Sequence, residues 1–255
     1  ALDAGAVDFF TKPGGEVSME MSRLEDQLVD MVRSVAAAAP TRTGDAPTTG
    51  GRPDPGAAGY VEHPTLVVGS STGGPKVVEQ LLSELPLAAD FRVLVVQHMP
   101  DGFTGRFAER IDARSDYAVR EASDGDRIGG GEALVARGGR HMIVAGYRDG
   151  EVRVRLTEDP PVNSVRPAVD MTMESAAEVV TGPLVGVILT GMGEDGAAGV
   201  KSIKAVGGRT LAQDEATSAV FGMPKRAIET GYVDEGPPIE DIPDGILATA
   251  RAEGN

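Results

Sequence analysis

The sequence contains no cysteine. Disulfides, a thiolate nucleophile and cysteine-ligated zinc are excluded together. No apolar run approaches the roughly eighteen residues that a membrane-spanning helix needs, so no direct membrane insertion is expected. A basic-then-apolar secretory leader is missing as well, which points to a cytoplasmic protein. The chain starts at Ala1 without methionine and in mid-pattern, as a fragment of something longer would. Positive charge is scarce: 24 Lys+Arg, only five of them lysine, face 39 Asp+Glu, for a net charge of −15. Such a surface repels nucleic acid and anionic lipid, so neither is expected as a partner. An acidic, lysine-poor surface fits a salt-adapted protein or an ordinary acidic cytosolic one.

What is present falls into three stretches. Residues 1 to 15, "ALDAGAVDFFTKPGG", read as the end of a helix, a short strand around Asp8 to Thr11 and a Lys-Pro turn. Met21, Leu24, Leu28, Met31 and Val35 then follow at helical spacing and form one apolar stripe. Residues 38 to 63 are rich in Pro, Gly, Ala and Thr with almost nothing to bury. That composition describes a flexible linker with a root-mean-square reach of roughly 30 Å.

From residue 64 to 255 strand and helix alternate. "TLVVGS", "FRVLVVQ" and "PLVGVILT" are β-branched apolar runs, as strands covered on both faces require. "GPKVVEQLLSEL", "GFTGRFAERIDAR", "RPAVDMTMESAAEVV" and "EDGAAGVKSIKAV" read as helices. "HMIVAGYRDGEVRVRLTE" alternates at period two about Asp149-Gly150, a hairpin signal. "GRTLAQ", "GMPKRAIETG" and a terminal helix near Ile246 complete the pattern. The predicted fold is α/β: a doubly wound, mostly parallel, three-layer sheet of Rossmann-like type with an antiparallel hairpin.

In open parallel sheets, ligands bind beyond the carboxyl ends of the strands. There the sequence places Ser70, Ser71 and Thr72 after the first strong strand, His98 after the second, and Glu194 and Asp195 after "PLVGVILT". Hydroxyl, imidazole and carboxylate are what a hydroxyl nucleophile needs: an attacking oxygen, a base with a pKa near neutrality, and a group that fixes the base's tautomer. Each piece alone has a plainer reading. "GSSTGG" serves equally as a phosphate cradle or a simple turn, although it is neither a P-loop nor a Gly-x-Ser-x-Gly elbow. His98 could be a buried structural histidine, and Asp195 or Glu194 could charge a helix start. His63 falls in the linker, and His141, which opens the hairpin, reads as structural.

Taken in order, "GSSTGGP", "QHMPDGFTGRFAERI", "RPAVD", "LTGMGEDGAAG" and "LAQDEATSAVFGMPKRAI" resemble successive motifs of the chemotaxis protein-glutamate methylesterase (CheB) family. The resemblance runs from about Pro64 to Gly231. It implies a cofactor-free serine hydrolase that cleaves glutamate γ-methyl esters on chemoreceptors, releasing methanol, and that deamidates receptor glutamines. It implies Ser71 as nucleophile, His98 as base and Asp195 as the orienting carboxylate. Thr72 and the backbone N–H of Met192 fall at the family's oxyanion and substrate-contact positions. Residues 1 to 37 resemble the end of a response-regulator receiver domain, through which a histidine kinase would act in the longer protein. Two positions depart from the family's pattern: Ser70 stands where alanine is usual, and Arg137 where proline is usual. The rival readings are a non-enzymatic phosphate- or nucleotide-binding module and an enzyme acting mainly as a glutaminase.

Overall fold

The structure is a computed structural model and describes residues 63 to 252. The strand and helix expected within residues 1 to 37, and all but the last residue of the expected linker, lie outside the described residues.

Six parallel strands form the main sheet in the order β3-β5-β2-β1-β8-β9. They are β1 (Thr65–Ser70), β2 (Arg92–Gln97), β3 (Ala118–Glu121), β5 (Glu132–Val135), β8 (Leu184–Ile188) and β9 (Arg209–Ala212). A second, antiparallel sheet of order β4-β7-β6 is built from β4 (Arg127–Ile128), β6 (His141–Arg148) and β7 (Glu151–Thr157). The hairpin turns at Asp149-Gly150, both at positive φ, as its two-residue loop demands.

Strand alternation sorts the core into two layers. Leu66, Val68, Val93 and Val95 face one side and pack on α1 (Gly74–Glu84), α2 (Thr104–Asp112) and α6 (Ile242–Ala252). Val67, Leu94 and Val96 face the other side. There they meet α3 (Val169–Val179), α4 (Ala197–Ala205), α5 (Met223–Glu229) and the inward residues Val152, Val154 and Leu156 of β7. Both faces of β1 and β2 are therefore covered, which explains their unbroken apolar text: all six residues of each are buried. At the amino-terminal edge Arg92 is fully buried and stacks 4.8 Å from the Tyr147 ring centre. Its guanidinium donates to the carbonyl of Gly150 at 2.9 Å and to that of His63, tying the hairpin to the main sheet.

The helix after β1 covers one face, whereas the helix after the neighbouring β8 covers the other. The sheet's topological switch point thus lies between β1 and β8, the place where open α/β sheets bind their ligands. The expected fold class holds, but three short strands were not legible as strands. β3, β4 and β5 have only two to four residues each and carry charged side chains, so no apolar run marks them.

Candidate active site

Register brings the sequence candidates to one edge. β1 pairs with β2 so that Ser70 lies beside Gln97, and the next residues, Ser71 and His98, emerge side by side. The pairing continues past the strands: the His98 N–H donates to the Ser70 carbonyl and the Ser71 N–H to that of Thr190, both at 3.0 Å. Ser71 then enters α1 through Gly73, whose φ of 78° and approach of 2.6 Å from a would-be Cβ to Ala219 leave room for glycine alone.

The two adjacent serines have different surroundings. Ser70 is fully buried, and its hydroxyl donates to Gln97 Oε1 at 2.6 Å. The amide nitrogen of Gln97 donates in turn to the carbonyls of Ser71 (2.9 Å) and His98 (3.1 Å). Gln97 therefore clamps both turns and occupies the Ser70 hydroxyl. Ser71 is only half-buried.

On the other side of the switch point, the loop after β8 carries Asp195, 2% exposed, between Gly193 and Gly196. His98 Nε2 lies 2.7 Å from Asp195 Oδ2. That same oxygen accepts the N–H of Val169 at 2.6 Å, and Oδ1 accepts the N–H of Asp170 and the side-chain amide of Asn163 at 3.1 and 3.2 Å. Burial pushes against ionisation of this carboxyl. The hydrogen bond and charge of His98, with the N–H groups of Val169 and Asp170, outweigh it and hold Asp195 below the usual carboxylate range. Two of these donors open α3, so the aspartate also sits at the positive end of that helix.

Glu194, the neighbouring acid, is exposed, whereas the imidazole of His98 is bonded to Asp195. Thr72 lies on the same turn as Ser71, and its carbonyl accepts the Thr190 hydroxyl at 3.0 Å. Met192 is 38% exposed on the loop that precedes Asp195. His141 is fully buried with both ring nitrogens engaged, one by the N–H of Ala168 and the other by the carbonyl of Pro160, so its part is structural. Arg137 is exposed beside Asp101 and Glu121, and the turn it opens is anchored by the Gly138 N–H on the Thr104 hydroxyl. Among the described residues, no group of three or more His, Cys, Asp or Glu is placed to hold a metal ion. A cleft of about 510 Å³ opens on the outer side of the Asp195 loop, lined by Asn163, Ser164, Gly193, Glu194, Lys225 and Arg226 among others.

Residues 66 to 246 match the family model described as CheB methylesterase. The chain belongs to the CheB methylesterase family. A curated relative from Haloarcula marismortui, named protein-glutamate methylesterase/protein-glutamine glutaminase, is 64% identical over 99% of this chain and 74% of its own length. One of the same name from Halobacterium salinarum is 56% identical over 98% of this chain and 73% of its own length. The crystal structure of the Thermotoga maritima CheB methylesterase catalytic domain superposes with a TM-score of 0.70 at 41% identity, covering 74% of this chain and 99% of that one. Three of the CheB motifs, far apart along this chain, thus meet at one sheet edge, in the spatial order β2-β1-β8 rather than in chain order.

Two participants in this CheB site were not legible as such. Asp170 lies in "RPAVD", which reads as a helix start and as one of the family motifs but assigns its aspartate no role. Asn163 lies in "PPVNSVRP", which signals a turn by its prolines and by asparagine's tolerance of positive φ. Neither signal says what the side chains touch.

Proposed function

We propose that this chain is a protein-glutamate methylesterase and protein-glutamine glutaminase acting on chemoreceptors, with Ser71, His98 and Asp195 as its catalytic triad. The observation that carries the reading is the 2.7 Å contact between His98 and the buried Asp195, at the strand edge where Ser71 also emerges. The relatives' names supply the reaction, and the geometry supports a route for it.

An ionised Asp195 can only accept, so in the neutral imidazole that the mechanism requires, Nε2 of His98 carries the proton and Nδ1 keeps its lone pair. In the proposed mechanism Nδ1 removes the Ser71 proton as Oγ attacks the γ-carbonyl carbon of the methyl ester. The tetrahedral oxyanion collapses and the C–O bond to methoxide breaks. The departing oxygen takes the proton from Nδ1 and leaves as methanol. Water then attacks the acyl-enzyme by the same route, giving glutamate and free Ser71. With glutamine the leaving group is ammonia. The N–H of Met192 and the Thr72 turn are the proposed oxyanion and substrate contacts.

Residues 1 to 37 are proposed to be the end of a receiver domain that answers to a histidine kinase in the longer protein, and residues 38 to 63 a linker to the catalytic domain, 64 to 255. A cytoplasmic, salt-adapted enzyme is the accompanying reading, supported by the net charge of −15. Among the described residues no helix is long and apolar enough to cross a membrane. Incubation with receptor fragments carrying labelled glutamyl methyl esters tests the function. Labelled methanol in solution is the expected outcome, and glutamine-to-glutamate conversion read by mass spectrometry gives the second activity. Absence of both would overturn the reading in favour of a binding module.

A further inference from the structure

Behind the proposed triad sits a second buried carboxylate, and one amide joins the two. Asp170 is 6% exposed, and its Oδ1 accepts the N–H groups of Gly196 and Gly199 at 2.9 and 2.7 Å. Its Oδ2 accepts Asn163 Nδ2 at 2.8 Å. Asn163 Nδ2 also reaches Asp195 Oδ1 at 3.2 Å. Each aspartate therefore caps the other's helix. Asp195, just before α4, takes the first N–H groups of α3, while Asp170, inside α3, takes those opening α4. Two positive helix ends converge on two negative side chains.

Asn163 is the only side chain that contacts both aspartates among the described residues. Both contacts are to carboxylate oxygens, so the amide must present its NH₂ group, one N–H to each. The backbone there is unusual too: Asn163 and Ser164 are consecutive non-glycine residues at φ 52° and 64°. Asparagine tolerates that region better than most residues, yet serine has little reason to adopt it unless the surroundings impose it. The loop thus holds a constrained geometry in order to present one amide to two buried anions.

We infer that Asn163 is a positioning residue for the esterase reaction: by bridging Asp170 and Asp195 it fixes the plane of the Asp195 carboxylate, so that Oδ2 faces His98. The inference rests on the triad reading above. Without the amide, Asp195 Oδ1 keeps one donor, the Asp170 N–H, and the carboxylate is less firmly held. Two neighbouring anions would also face each other without a donor between them. Burial, together with the charge of Asp195, pushes the Asp170 carboxyl up despite its own N–H donors, so the pair is already strained. The other titratable groups facing this pair are His98 and Glu174, the latter raised by burial and by the charges of Asp170, Glu178 and Asp195.

The test uses two variants of the full chain. Asn163→Gly removes the amide and accepts φ 52° without strain, so the loop can keep its path. Asn163→Asp keeps the shape but offers at most one O–H, so it cannot donate to both aspartates at once. For both, kcat on methylated receptor fragments is expected to fall about 10- to 100-fold with KM nearly unchanged, roughly 1.4 kcal/mol of barrier per decade. The acid limb of kcat/KM should move to higher pH, because an Asp195 with fewer donors raises the basicity of the imidazole it contacts. A residue that only shapes the loop would lower the melting temperature and leave that limb in place. Either an unmoved limb or unchanged kcat in a folded Asn163→Gly enzyme overturns the inference. A readout independent of turnover is the Nε2–H proton of His98, which a carboxylate at hydrogen-bond distance shifts far downfield in proton NMR; His98→Ala assigns it. The signal should broaden or move in both variants, and an identical sharp signal would sink the inference even if the wild-type chain released no methanol. Failure of methanol release by the wild type, by contrast, bears on the proposed function.

Discussion

Replacing Asp195 by asparagine changes one atom and sets two of the site's requirements against each other. The carboxylate accepts from four donors: His98 and the Val169 N–H on Oδ2, the Asp170 N–H and the Asn163 amide on Oδ1. An asparagine offers one accepting oxygen and one NH₂ group. If the NH₂ takes the Oδ2 place, it faces the Val169 N–H and must donate to His98. The proton on the ring then moves to Nδ1, and the proposed base has no lone pair for Ser71. If it takes the Oδ1 place instead, His98 keeps its tautomer, but the N–H of Asp170 and the Asn163 amide are left facing a donor. A buried donor without a partner costs about 1–3 kcal/mol, so the second arrangement sacrifices roughly 2–6 kcal/mol of stability. The first leaves one such donor and is favoured, so turnover should fall by up to about 10⁴-fold, as when a triad imidazole is held in the wrong tautomer. Methanol release, measured alongside urea denaturation of the same preparations, reads both quantities. Glu194→Gln should stay within about twofold of wild type, well under 1 kcal/mol of barrier, since Glu194 is exposed. An Asp195→Asn enzyme within tenfold of wild type, or a Glu194→Gln enzyme equally inactive, would refute the assignment.

Acid, salt and truncation each give a further expectation. Asp195, held below its ordinary value of 3.8, contributes stability in full above that pH and loses it as the pH falls below. Asp170 and Glu174 run the opposite way: their burial as anions costs stability at neutral pH and is relieved as they take up protons. The stability gap between wild type and Asp195→Asn, followed by denaturant titration, should therefore close only below 3.8, since protonation of Asp170 or Glu174 above that pH relieves repulsion in the wild type and widens the gap; a gap closing near neutrality would contradict this. Melting temperature should rise between 0.1 and 1 M salt, as the Debye length shrinks from about 10 to about 3 Å and screens a net charge of −15; a flat or falling trend would remove the salt-adapted reading. Deleting residues 1 to 62 should change turnover by less than about threefold, roughly 0.7 kcal/mol of barrier, because the sheet and the proposed triad lie wholly within residues 63 to 252. The cut belongs before His63, whose carbonyl accepts from buried Arg92; a large rise on deletion would mark the segment as an inhibitor.

Legibility in the sequence followed burial. β1, β2 and β8 are covered on both faces, so they must be continuous apolar runs, and they read as such. β3 and β5 expose part of their length, and "AVRE" and "EALV" are too short and too charged to stand out. The proposed triad is legible because Ser71 and His98 directly follow strong strands and Asp195 lies in the loop after a third, so that position along the chain becomes proximity at one edge. The arrangement behind it was not. Asp195 reads as a cap for the helix it precedes, yet it caps α3, and Asp170 caps the helix after Asp195. That exchange depends on α3 and α4 packing side by side, a fact of tertiary structure with no trace in residue spacing. Residue spacing does not choose between the two serines: the family resemblance points to Ser71, and the burial of Ser70 with its bond to Gln97 separates the two in the structure.

The central claim is that the Ser71 hydroxyl is the nucleophile, and comparing Ser71→Ala with Ser70→Ala in one methanol-release assay tests it most directly. Ser71→Ala is expected to lose about 10⁴-fold or more of the turnover while folding normally. Ser70→Ala should stay within about tenfold, and because it removes a buried hydrogen bond to Gln97, it should lose about 1 kcal/mol of stability instead. The reverse pattern, an inactive Ser70→Ala beside an active Ser71→Ala, would contradict the account.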